Sequence, residues 1–111
     1  MQLKYLIMFV ADMDAAIAFY RDTLGFGVRF QSPEWTELET GTTTLALHPS
    51  SPKNPPGTMH PGLAVPDMAE FAHRLQRSGL AFTRQPTLEH GVLLAEFADA
   101  TGVHYSVSAP Q

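Results

Sequence analysis

Tyr5-Leu6-Ile7-Met8-Phe9-Val10-Ala11-Asp12-Met13 is answered later in the chain by His60-Pro61-Gly62-Leu63-Ala64-Val65-Pro66-Asp67-Met68. One offset, 67 − 12 = 55, carries Asp12 onto Asp67, Val10 onto Val65, Met13 onto Met68 and Tyr5 onto His60. Self-similarity at a fixed spacing marks two copies of one supersecondary unit. Each copy reads as an apolar strand, then an aspartate placed to cap a helix, then the helix itself. Two half-sized modules must pack together, and the seam between them is a natural place for a site.

Working outward, Met13, Ala16, Ile17, Tyr20 and Leu24 recur at helical spacing, and Gly25 is placed to end that helix. Met68, Phe71, Ala72 and Leu75 repeat the first four of these positions at the same offset, and Gly79 closes the second helix. Short strands are predicted over 3–10, 26–31, 35–39 and 42–48, and again over 60–65, 81–84, 92–97 and 103–108. Ser32-Pro33, Thr40-Gly41 and Ala100-Thr101-Gly102 supply turn chemistry. The stretch from Pro49 to Gly57 holds four of the nine prolines and reads as a surface linker. The expected organisation is one α+β domain over 1–111: module one 1–49, linker 50–59, module two 60–111, each module βαβββ.

Composition narrows the function classes. Net charge is −4, and the seven basic residues are scattered, which argues against nucleic acid or an anionic membrane as partner. No cysteine is present, so disulfides, thiolate metal sites and a cysteine nucleophile are excluded. No run reaches the ~18 apolar residues of a membrane span, and a signal-peptide layout is missing, so a cytoplasmic location is expected.

The runs Val10-Ala11-Asp12-Met13, Ala18-Phe19-Tyr20-Arg21-Asp22-Thr23-Leu24-Gly25-Phe26, Thr43-Thr44-Leu45-Ala46-Leu47 and Asp99-Ala100-Thr101-Gly102 resemble the vicinal-oxygen-chelate superfamily. This is the glyoxalase, bleomycin-resistance and extradiol-dioxygenase type. The resemblance implies paired βαβββ modules whose mixed sheets curl around a cavity, with each helix on the outer face of its sheet. It also implies a homodimer. Metal-dependent members use four inward positions, which fall here on Tyr5, Ala46, His60 and Ser106. Only His60 is a usual ligand for a divalent ion, so no metal cofactor is expected. An alternative is a displaced site of His48, His60 and His104, with imidazole donors suited to zinc or iron.

The resemblance implies which parity faces inward, because the family's ligand on the first strand of a module lies seven residues before the capping aspartate, at Tyr5 and His60. Strand alternation then sorts the other side chains. Tyr5, Ile7 and Phe9 are expected to face inward, with Leu6, Met8 and Val10 toward the helix. In the second copy His60, Gly62 and Ala64 face inward, with Leu63 and Val65 toward the helix. Thr44, Ala46 and His48 are inward, as are His104, Ser106 and Ser108. Parity adds Trp35, Glu37, Glu39, Leu94 and Glu96, positions where a bulge would change the outcome. Asp12 and Asp67 are helix caps, and His73 and His90 are surface residues. Ser106 and His104, two apart on one strand, are not arranged as a nucleophile and its base.

The expected ligand-binding residues are therefore Tyr5, Phe9, Trp35, His48, His60, His104 and Ser106. The expected function is a small-molecule-binding homodimer that takes an aromatic or cationic ligand in an aromatic, mildly acidic crevice. Two enzyme readings stay open. One is a lyase, isomerase or dioxygenase using the three histidines and a divalent metal. The other is metal-free acid–base chemistry by Glu37, Glu96 or a histidine.

Overall fold

A computed structural model describes all 111 residues. The chain divides into two compact units, residues 4–59 and residues 60–111 together with 1–3. The first contains β1 (Gln2–Val10), α1 (Met13–Ala18), a π-helical turn (Phe19–Thr23), β2 (Gly27–Phe30), β3 (Thr36–Glu39) and β4 (Thr44–Pro49). The second contains β5 (Met59–Ala64), α2 (Met68–Arg77), β6 (Phe82–Glu89), β7 (Val92–Ala98) and β8 (His104–Pro110). The βαβββ order thus occurs twice, as the sequence repeat predicts.

Strand order is β2-β3-β4-β1 in the first unit and β6-β7-β8-β5 in the second. The first strand of each unit pairs parallel with the last, and the other pairs are antiparallel. A parallel pair needs a crossover, and the helix supplies it. No helix is long and apolar enough to cross a membrane.

Alternation puts one stripe of each sheet under its helix. In the first unit Ile17, Leu38, Leu45 and Leu47 are buried, with Leu6, Met8, Val10, Met13, Ala16, Tyr20, Phe26 and Val28 packed around them. In the second, Val65, Met68, Phe71, Leu75, Ala95, Phe97, Val107 and Ala109 form the core, with Leu63 and Tyr105 against it. Burying one such Leu or Phe side chain contributes roughly 1.5–3 kcal/mol.

The helix starts are equivalent. Asp12 accepts from the Ala15 N–H at 3.0 Å, and Asp67 from the Glu70 N–H at 3.1 Å. The ends differ. The α1 stripe does not extend to Leu24, which is 49% exposed. The helix widens there, and the Leu24 N–H donates to the Phe19 carbonyl five residues back. That extra residue in the turn rotates Leu24 off the apolar stripe, and Phe26 packs on the core in its stead.

A second correction concerns β6, which runs five residues beyond its predicted end at 84. His90 and Gly91 both have positive φ, 52° and 83°. A two-residue turn of this conformation matches strand twist and lets β6 pair with β7 up to Glu89↔Val92.

The turn before β8 is organised by Asp99. Its Oδ1 accepts from the Thr101 hydroxyl at 2.7 Å, the Val103 N–H at 3.0 Å and the Thr101 N–H at 2.9 Å. The Tyr105 hydroxyl donates to Oδ2 at 3.1 Å. The Thr101 hydroxyl first, with these other donors, holds the Asp99 carboxyl down to about 2, from 3.8. A depressed carboxyl contributes stability above its unfolded pKa and loses it as pH falls through the folded one. Asp99→Asn should therefore lower the thermal midpoint at pH 7, with the difference from wild type shrinking between about pH 4 and about 2. Removing the α2 cap with Asp67→Ala should cost about 1 kcal/mol in denaturant unfolding, without a change of slope.

Candidate functional site

The face of the first sheet away from α1 is apolar and aromatic. Ile7, Phe9 and Ala46 are buried there, with Tyr5 and Trp35 packed against them. This is the inward set that alternation predicts. The rings of Tyr5 and Trp35 meet edge to face, centroids 5.5 Å apart at 78°. Phe9 and His48 lie 5.1 Å apart. His48 is exposed, and its Nδ1 donates to its neighbour's carbonyl, Pro49 O, at 2.8 Å.

Trp35 is fixed at both ends. Its backbone N–H donates to Ser32 Oγ at 3.0 Å, and its carbonyl accepts from the Ser32 hydroxyl at 2.8 Å. The indole N–H donates to Glu37 Oε2 at 2.8 Å. Residues two apart on a strand share a face, so Trp35 and Glu37 can make this bond. Glu37 itself lies opposite Ala46 in the β3–β4 ladder.

The other Glu37 oxygen is also taken. Arg29 donates to Oε1 through Nε at 3.2 Å and Nη2 at 3.1 Å, and Nη2 also bonds the buried Thr44 hydroxyl. Glu37 is therefore an anchoring group, with both carboxylate oxygens committed to protein donors, and not a free general base. Arg29 reaches it from a β-bulge: the β2–β3 register passes from Val28↔Leu38 to Phe30↔Glu37, leaving Arg29 as the extra residue.

In the second unit Leu94 and Glu96 lie on the face opposite the α2 core, since Leu93, Ala95 and Phe97 pack under the helix. His60 is 5% exposed, and its ring centroid lies 5.7 Å from that of the exposed His104. Ser106 sits between Gly62 and Glu96 in the sheet. Glu96 is 3.5 Å from Arg84 Nη1. Both carboxylates expected to make the site acidic, Glu37 and Glu96, are thus offset by an arginine. His73 and His90 are exposed, as expected.

The residues do not fit the family's metal. In the first unit Ala46 has no donor and is fully buried, and Tyr5 is committed to the aromatic cluster. In the second, His60 is one imidazole and Ser106 a neutral hydroxyl, a poor set for a divalent ion. Neither unit by itself supplies three histidines for the alternative site: His48 belongs to the first, His60 and His104 to the second.

Sequence reasoning missed Arg29 and Arg84 as site residues. One signal was available: 84 − 29 = 55, the offset of the repeat, so each copy carries an arginine at the same place, ion-paired to a glutamate on the following strand.

A model of the Glyoxalase/Bleomycin resistance protein/Dioxygenase superfamily matches residues 2–105. YurT, an uncharacterized protein of Bacillus subtilis strain 168, is 30% identical over 86% of this chain and 88% of its own. The crystal structure of a hypothetical protein from Bacillus halodurans, BH1468, is similar with a TM-score of 0.84 at 18% identity, covering 99% of this chain and 94% of that one. Methylmalonyl-CoA epimerase from Mycobacterium tuberculosis has a TM-score of 0.80 at 19% identity, over 98% of this chain and 87% of the epimerase. At such identities these two structures speak to the fold alone.

If Glu37 anchors the site, Glu37→Leu should cost about 1–3 kcal/mol in denaturant unfolding, because an indole N–H and a guanidinium lose their acceptor. The single Trp gives one indole N–H NMR resonance, which should move upfield in that variant as its hydrogen bond is lost.

Proposed function

We propose, from the premise that this chain belongs to the Glyoxalase/Bleomycin resistance protein/Dioxygenase superfamily, that it is a metal-independent small-molecule-binding protein. It acts as a cytoplasmic homodimer, and a planar ligand packs on the aromatic face of Tyr5, Phe9 and Trp35. The observation that carries this reading is that an apolar, aromatic surface lies where metal-dependent relatives would present ligands. Ala46 is buried among Ile7, Phe9, Tyr5 and Trp35, and Trp35 is held by Glu37 and Ser32. A rigid aromatic side chain offers large contact area at low cost in conformational entropy.

The premise also keeps a second reading, a lyase or isomerase, and one observation favours it: the buried His60 ring beside His104 in the second unit. An imidazole in such a place can serve as a general acid or base.

A thermal-shift screen against planar ring compounds tests the first reading. Wild type should be stabilised by several of them, and Trp35→Leu should lose that stabilisation while its own midpoint identifies any change in fold stability. If no planar compound stabilises the protein, the binding reading fails. Light scattering should give twice the 12.2 kDa of one chain, and a monomer would contradict the homodimer.

A further inference from the structure

We propose that Arg29 is an oxyanion anchor beside the Trp35 face, so that the ligand of this face is a planar ring compound carrying a carboxylate or comparable oxyanion. This deepens the binding reading and rests on it.

Three observations carry the inference. Arg29 is the extra residue of a β-bulge, a distortion that re-aims a side chain and is frequent next to binding sites. Its guanidinium is then pinned: Nε and Nη2 are committed to Glu37 and Thr44, while Nη1 makes no hydrogen bond within the protein. The Arg29 side chain is 42% exposed, so Nη1 is open to an incoming group. A guanidinium already held in one orientation loses little freedom when it accepts a planar oxyanion.

The second copy of the repeat supplies a contrast within the same chain. Arg84 stands at the equivalent position, but both of its terminal nitrogens face protein acceptors. Nη2 bonds Thr87 and Glu89, and Nη1 faces Glu96. Arg84 is therefore occupied in holding β6 and β7 together. Arg29 keeps one terminal nitrogen in reserve, next to the indole that Glu37 also holds. Glu37 thus sets the distance between the two recognition elements, ring face and anion donor.

The expectation from sequence is an aromatic or cationic ligand. This reading keeps the aromatic ring and replaces the cation by an oxyanion, since Glu37 is paired with Arg29.

The test uses three probes with one ring system: 2-naphthoate, 2-naphthamide and 2-naphthylmethylammonium. Binding is followed by the Trp35 indole N–H resonance in wild type, Arg29→Gln and Arg29→Lys. Wild type should bind the carboxylate about tenfold or more tighter than the amide, as a charge-assisted hydrogen bond implies, and the ammonium no better than the amide. Arg29→Gln should bind carboxylate and amide alike, the ratio of the two affinities falling to about one. Arg29→Lys, which keeps the charge without the fork, should recover part of the preference. Equal binding of carboxylate and amide by wild type would overturn the anchor and leave the ring-binding reading standing. So would a carboxylate preference that survives Arg29→Gln, and a shifted resonance in that unliganded variant would then mark Arg29 as merely structural. Failure of all three probes to bind would overturn both.

Discussion

Glu37 brings a carboxylate onto a sheet face dominated by the apolar and aromatic side chains of Tyr5, Ile7, Phe9, Trp35 and Ala46. A carboxylate so placed is costly unless its oxygens are satisfied, and here they are divided between the Trp35 indole on one side and the Arg29 guanidinium on the other. The bonds constrain everything nearby. They orient the indole against Tyr5, they draw Arg29 out of the β2 ladder at a bulge, and they hold Arg29 over Thr44. The face gains a rigid aromatic surface with a polar edge, rather than a set of metal donors.

The two copies of the module keep what builds the fold and differ in what could do chemistry. Asp12 and Asp67 cap their helices by the same bond, and the stripes beneath α1 and α2 start at corresponding residues. On the other face the first copy has Tyr5 opposite Thr44 and Ile7 opposite Ala46, whereas the second has Gly62 opposite Ser106 and a pair of histidine rings. Helix caps and buried stripes are constrained by folding whatever the ligand. The opposite face is free to change with it.

That division also explains what was legible in the sequence. Caps and stripes are local, so the βαβββ order followed from spacing. The sorting of Leu6, Met8, Val10, Leu45 and Leu47 from Tyr5, Ile7 and Phe9 followed from alternation once the family resemblance set which parity faces inward. Leu24 was misplaced because a π-helical turn adds a residue where a regular α-helix was assumed, and β6 was cut short because His90-Gly91 was not taken as a hairpin turn. The arginine that pairs with Glu37 was not legible for a different reason. That contact depends on a bulge at Arg29 and on a register between strands, neither of which has a signature within a single strand. The shared offset of Arg29 and Arg84 was the one trace of it in the sequence.

The central claim is that the site works without a metal, and elemental analysis of the purified, chelator-free protein tests it most directly. The account predicts zinc, iron, nickel and manganese far below one atom per chain. One equivalent of any of them per chain, lost on His60→Ala in a folded variant, would contradict it.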